Sequence, residues 1–351
     1  MRKAVFYILL IIVIVSCGSD TISKKAPKVD HIEIEDINIV RFDKLIQSLD
    51  TTDIIASYEA LVKEHPYITN LYFNELLNFK SEAKDSFHYF IKEFVVAEPI
   101  VSLQESVDKV FPNLRSVEKD LNKAQRYLKY NFPDYRMPNF YSYITEFGYQ
   151  TILFSDGERG ENMDGIGIGL DMYLGSDFDY KQVDPRNPIF SDYITANYSE
   201  EYIVRNAMEI ISSDLMGEPR GKRMLDQMLH NGKRLYIMEN LMPWVSDSII
   251  MEYTSDNMEW VVDNELQIWD YFLENNLVYE TNHLKINKYI NPSPNSPGMP
   301  AEAPGKTATF IGWQIVRSYM NRNPNASLAD LIALTESQKL LELSRYKPKR
   351  R

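Results

Sequence analysis

Apolar and polar residues alternate from His31 to Ile39 (HIEIEDINI) apart from the polar pair Glu35-Asp36, and this period of two predicts a half-buried strand. Phe42, Leu45, Ile46 and Leu49 then switch to helical spacing. Val107, Val110, Phe111, Leu114, Val117, Leu121, Ala124 and Leu128 form a longer helical stripe. Tyr141 to Phe154 is rich in aromatic and β-branched residues and reads as strand. After the turn-like Asp156–Gly160, the run Gly165–Gly175 (GIGIGLDMYLG) is strand-like again, so the two runs are expected to pair as a hairpin or as neighbours in a small sheet. Helices dominate from Ser199 onward. Ser199 is a candidate N-cap, Glu200 and Glu201 suit a helix start, and Gly217 with Pro219 marks its end. Ile203, Ala207, Ile210 and Ile211 make the buried face of that helix, and Val262, Leu266, Trp269 and Leu273 that of another. Residues 291–305 are Pro-rich and predict an irregular loop. Ile311–Met320 reads as a buried helix stopped near Asn323-Pro324, and Ser327–Asp330 opens the last helices with a capping-box pattern. The pattern as a whole predicts an α+β chain, mostly helical, with a small mixed sheet.

The first residues are of another kind. Arg2 and Lys3 precede an apolar stretch, Ala4 to Val15, that closes on Ser16 and Cys17. A basic start, a short apolar segment and a small residue before a lone cysteine make a bacterial lipoprotein signal. The stretch is too short to span a bilayer, which needs roughly 20 apolar residues. Residues 1–16 are therefore expected to be removed and Cys17, the chain's single cysteine, to carry lipid. Residues 17–30 are small and polar, a tether, and 31–351 form one large domain. Gly18 and the absence of a dense acidic run in the tether point to the periplasmic side.

Composition narrows the function. The net charge of −12 becomes −14 when Arg2 and Lys3 leave with the signal, and such an acidic body is repelled by nucleic acid. Membrane attachment then rests on the lipid of Cys17. With 44% apolar residues the chain can build a large core, and without a disulfide its stability comes from packing.

Familiar catalytic patterns are missing. His31, His65, His88, His230 and His283 are scattered, with no HExxH and no pair at i, i+4, so the usual zinc-hydrolase site is not spelled out. No G-x-S-x-G elbow occurs. The G-x-G-x-G series lacks a dinucleotide context, and Gly165, Gly167 and Gly169 read either as structural glycines or as a binding edge approached by another chain. Asp177, Asp179 and Asp184 lack calcium-loop spacing and read as a solvated loop. A carboxylate pair assembled only by folding stays open.

The lipoprotein start, the 165–175 run, Lys233–Glu239 (KRLYIME), Ile311–Tyr319 (IGWQIVRSY) and Ser344–Pro348 (SRYKP) together resemble the gliding-motility lipoprotein family GldB of the Bacteroidetes. The resemblance implies a cell-envelope protein needed for gliding, with partners in the gliding and type IX secretion apparatus. That family is in turn similar to zinc peptidases of gluzincin-like layout, in which an edge strand precedes a helix carrying HExxH. Aligned so, Arg205 and Glu209 stand where the metal histidines would be, Asn206 replaces the general base, and Glu239 matches the acidic third ligand. An arginine has no lone pair for zinc, and an asparagine amide takes no proton from water. Arg205 and Glu209, one turn apart, are expected to pair instead.

The expectation is a lipid-anchored, catalytically inactive, peptidase-like scaffold without a cofactor or metal, gripping an extended partner at Gly165, Gly167 and Gly169. Two rivals stand beside it: a hydrolase using carboxylates among Asp164, Asp171, Glu209 and Glu239, and a solute-binding lipoprotein using its aromatic-rich middle.

Overall fold

The computed structural model describes residues 26–79, 84–158 and 164–349. The signal segment, Cys17 and most of the tether lie outside the described residues, as do Arg159 and Gly160 of the expected turn. Strand β1 (Ile39–Val40) leads into helices α1 (Phe42–Gln47), α2 (Ile54–Glu64), α3 (Pro66–Asn70), α4 (Lys84–Val96), α5 (Glu98–Val110) and α6 (Arg115–Asn131). Strands β2 (Asn139–Tyr143), β3 (Thr151–Ser155) and β4 (Asp164–Gly169) follow. The second half is helical: α7 (Asp192–Thr195), α8 (Glu201–Met216), α9 (Met224–Leu241), α10 (Asp247–Met251), α11 (Ser255–Asp263), α12 (Glu265–Glu274), α13 (His283–Ile290), α14 (Thr307–Arg322), α15 (Leu328–Ala333) and α16 (Ser337–Ser344). Buried apolar side chains from Val29 to Leu340 join in one core. The chain is α+β, mostly helical, with one small mixed sheet.

That sheet has the order β1-β2-β4-β3, with β1–β2 and β2–β4 parallel and β3–β4 antiparallel. Strand β4 is therefore interior, and the reading of Gly165, Gly167 and Gly169 as a binding edge is corrected. Their bare face is already filled. A Cβ on Gly167 would stand 2.5 Å from the Tyr143 ring and 2.9 Å from Ile152, one on Gly165 would enter the Phe154 ring, and one on Gly169 would strike the Tyr149 carbonyl oxygen. The glycines let aromatic neighbours lie flat across the strand. The outer strands are the two-residue β1 and β3, and β3 exposes Leu153 (46%).

Other expectations shift in instructive ways. Only Ile39 and Val40 of the alternating run enter the sheet; the residues before them are extended but are bonded by a helix. The Ile37 amide donates to Asn122 Oδ1 (2.8 Å), the Ile39 amide to Glu118 Oε1 (3.0 Å), and Lys129 Nζ to the Glu33 carbonyl (2.8 Å), all from α6. The long stripe from Val107 to Leu128 is two helices, broken at Phe111–Leu114, because Pro112 has no N–H and disfavours helical geometry in the residue before it. Ser199 does not cap α8, which follows Glu200 without a side-chain cap, while Gly217 ends it in a positive-φ conformation (61°). In α11 and α12 the buried positions are Val261, Glu265, Ile268 and Phe272, one residue off the apolar stripe, because buried Glu265 accepts from Tyr346 Oη (2.8 Å). The 291–305 loop, the buried helix α14 and the capping box at Ser327 and Asp330 occur as expected.

Helices α9 and α14 form the centre of the second half. They meet backbone to backbone: a Cβ on Gly312 would overlap the Met228 carbonyl, and one on Gly232 would overlap the backbone of Gly312. These two helices carry the KRLYIME and IGWQIVRSY motifs.

Candidate functional site

Helix α8 brings three of the expected residues together. Arg205 is 1% exposed, although a guanidinium is seldom buried unless fully partnered. Here it is. One nitrogen, Nη1, contacts the Glu209 carboxylate one turn on, Glu252 Oε1 (3.1 Å) and Asn206 Oδ1 (3.0 Å). Nε and Nη2 donate to the Ile250 carbonyl at 3.3 and 3.2 Å. Arg234 of α9 reaches Glu209 from the other side (3.3 Å). Lys306 Nζ bonds Glu252 (2.8 Å) and the Met251 carbonyl (2.6 Å). Five charged side chains from α8, α9, the end of α10 and the start of α14 thus close on one another.

Electrostatics follow from this closure. Burial alone would raise the Glu209 carboxyl, but Arg205, Arg234 and Lys306 outweigh it and hold its pKa down at about 2. Burial presses the Lys306 ammonium below its ordinary value despite Glu252. His230, one turn before Arg234, is pushed down to about 4 by burial and then by Arg234 and Lys233. Glu252 (φ 57°) and Lys306 (φ 62°) both sit in left-handed backbone without being glycine, a strained conformation that their mutual ion pair helps retain.

A polar chain links this network to the outer strand. Asn206 Nδ2 donates to Tyr173 Oη (2.8 Å), which is hydrogen-bonded to Thr151 Oγ1 of β3 (2.7 Å). The outer strand is thereby fixed beside α8.

Glu239 does not join the cluster. It accepts from Arg317 Nε (2.7 Å), while both terminal nitrogens of Arg317 grip Asp247 at 2.7 and 2.8 Å and the guanidinium lies 3.7 Å from the Trp313 ring centre. The expected third acidic ligand is thus part of a separate ion-pair group. Among the described residues no group of three or more His, Cys, Asp or Glu is arranged to hold a metal ion.

Nor do the four candidate carboxylates pair. Asp164 is exposed at the start of β4, opposite Ser155. Asp171 is fully buried and does a structural task. The chain from β2 to β3 must cross the end of β4, and it does so through Thr145–Gly148 with Glu146 (φ 52°) and Phe147 (φ 65°) both left-handed. Asp171 Oδ2 accepts the Thr145 and Phe147 amides at 3.0 and 2.7 Å, holding that strained turn. Burial, partly offset by these amides, raises the Asp171 carboxyl from 3.8 to about 6. Between those values the folded chain binds more protons there than the unfolded chain, so this contribution to stability falls as pH rises through the window, by about 3 kcal/mol in total. We predict that Asp171→Asn flattens the pH dependence of denaturant stability between pH 4 and 6, while Asp171→Ala, which strands both amides, costs about 2–4 kcal/mol above pH 6 and more below pH 4, where the wild type keeps the contribution of its protonated carboxyl. An Asn variant with the wild-type pH profile would refute this assignment.

The aromatic-rich middle is packed against itself. Phe147 meets Phe178, Tyr180 and Phe190 at ring distances of 5.4–6.2 Å. Beside it lies a depression of about 310 Å³ lined by residues including Asp177, Asp179, Lys181 and Asp192. Asp179 spends its oxygens on the Lys181 amide and Gln182, as a loop cap.

Sequence reasoning found Arg205, Asn206 and Glu209 and missed Arg234, Glu252, Lys306 and Tyr173. Arg234 and Tyr173 lie inside quoted motifs; Glu252 and Lys306 carry no local signal.

Fold and site define a helical α+β protein with a closed charge network on the helix beside its outer strand. Residues 22–348 match the family of the gliding motility protein GldB, and the chain belongs to that family of lipoproteins. No curated protein and no solved structure matches it. No described helix is long and apolar enough to cross a membrane.

Proposed function

We propose that the chain is a non-catalytic, peptidase-like component of the cell envelope, anchored by lipid on Cys17 and facing the periplasm, that holds an extended segment of a partner in the gliding and type IX secretion apparatus. The observation that carries this reading is the seat of Arg205. Where the resembling peptidases place a metal histidine, a buried guanidinium is bound by Glu209, Glu252 and a backbone carbonyl. A fixed cation there competes with any metal ion, and Asn206 spends its amide on Tyr173. The docking edge is β3, not β4: its outer side has no strand partner among the described residues, and an extended peptide can add there through main-chain hydrogen bonds.

The test is genetic and physical together. We predict that Leu153→Asp, a charge on an exposed edge position, leaves melting and membrane fractionation unchanged but abolishes gliding in cells lacking the native copy. Full gliding by that variant would remove β3 from the function. Loss of gliding with Glu209→Gln, at unchanged melting, would return the site to carboxylate catalysis.

A further inference from the structure

The path of the chain into the fold fixes where the tether joins the body. Residues 33–39 run antiparallel to α6: Glu33 is held by Lys129, Ile37 by Asn122 and Ile39 by Glu118. Residues 26–30 therefore enter beside the last turn of α6. Val29 is buried there (3% exposed), and Asp30 lies close enough to Tyr127 to add to the effect of burial in raising its phenol. The nine residue steps from Cys17 to Ala26 reach at most about 30 Å even when fully extended. Helices α6 and α8 lie side by side and parallel, with Ser116 bonded to Glu200 at their starts and Tyr135 Oη donating to Asp214 (2.9 Å) at their ends.

We propose that the end formed by the last turn of α6 and residues 26–33 docks on the bilayer surface, with the start of α8 pointing away from it. This inference rests on the lipid-anchor reading above. Tyr130, 52% exposed on the last turn of α6, is an amphipathic ring suited to the headgroup layer, with exposed Lys129 next to it in sequence and exposed Lys28 on the entering segment. On this end exposed Lys28 and Lys129 balance exposed Asp30 and Glu33, so it lacks the net negative charge that the body as a whole carries. Arg205 then stands about 14 Å further along α8 than Asp214, clear of the headgroups.

The full-length lipidated chain in phosphatidylcholine vesicles tests this. With Cys17 acylated, an introduced cysteine is the only thiol, so Tyr130→Cys and Glu201→Cys each accept one fluorophore. A headgroup-depth quencher in the bilayer should quench the label at 130 several-fold more than the label at 201, the exposed first residue of α8 beside the start of α6. Equal quenching, or stronger quenching at 201, overturns the orientation. Cys17→Ala separates the two readings: protein that no longer floats with vesicles supports the anchor, and protein that still floats overturns both, because the reach argument depends on that residue.

Discussion

Arg205→Ala should cost about 3–5 kcal/mol, lowering the melting temperature by on the order of 10 °C. The side chain is 1% exposed, and its loss leaves Glu209, Glu252 and the Ile250 carbonyl without the donor they share. Glu209 keeps Arg234, and Glu252 keeps Lys306, so the network is weakened rather than emptied. Desolvation decides the sign of the companion experiment. Removing one partner of a buried pair strands a charge, whereas replacing both by apolar groups of similar size is often neutral. Arg205→Met with Glu209→Met should therefore recover much of the stability lost by Arg205→Ala. Denaturant midpoints at constant slope check both outcomes. A cost under 1 kcal/mol for Arg205→Ala would mean that the guanidinium is dispensable and that the peptidase-like position is open.

The same residues show how far sequence reaches. The i, i+4 spacing of Arg205 and Glu209 was enough to predict their pair, because helix geometry fixes the neighbours. Glu252 and Lys306 were out of reach: they lie 54 positions apart and meet through left-handed backbone at a helix end and a helix start, which no periodicity encodes. The alternation at 31–39 found half-buried apolar positions at Ile32, Ile34 and Ile37, yet only Ile39 of the run is buried in the sheet, and the partner offering hydrogen bonds to the run is a helix. The glycine series was read for its bareness; what covers it, Tyr143, Phe154 and the Tyr149 carbonyl, comes from strand order and register. In α12 an apolar-only pattern chose the wrong face by one position, since Glu265 is buried against Tyr346. Local periodicity gave elements, and long-range pairing gave the site.

The crossing of α9 and α14 should be the least tolerant place in the second half. A methyl group on Gly312 would overlap the Met228 carbonyl, and one on Gly232 would overlap the backbone of Gly312. Side chains can rotate away from an intruding methyl; backbone cannot, so the helices must separate. Overpacking a core commonly costs 1–3 kcal/mol, and with no rotamer to yield we predict about 3 kcal/mol or more for Gly312→Ala, and a similar loss for Gly232→Ala. The two should not add. Once one methyl has pushed the helices apart, much of the room for the second exists, so the double variant should lose clearly less than the sum of the singles. The displacement also has a functional reading. Lys306 precedes the first turn of α14, and Arg317 of that helix pairs with Glu239 of α9, so separation disturbs both ion-pair groups. A double-mutant cycle by denaturant unfolding measures the coupling. Strict additivity, or a loss under 1 kcal/mol for Gly312→Ala, would show that the two backbones are not in contact.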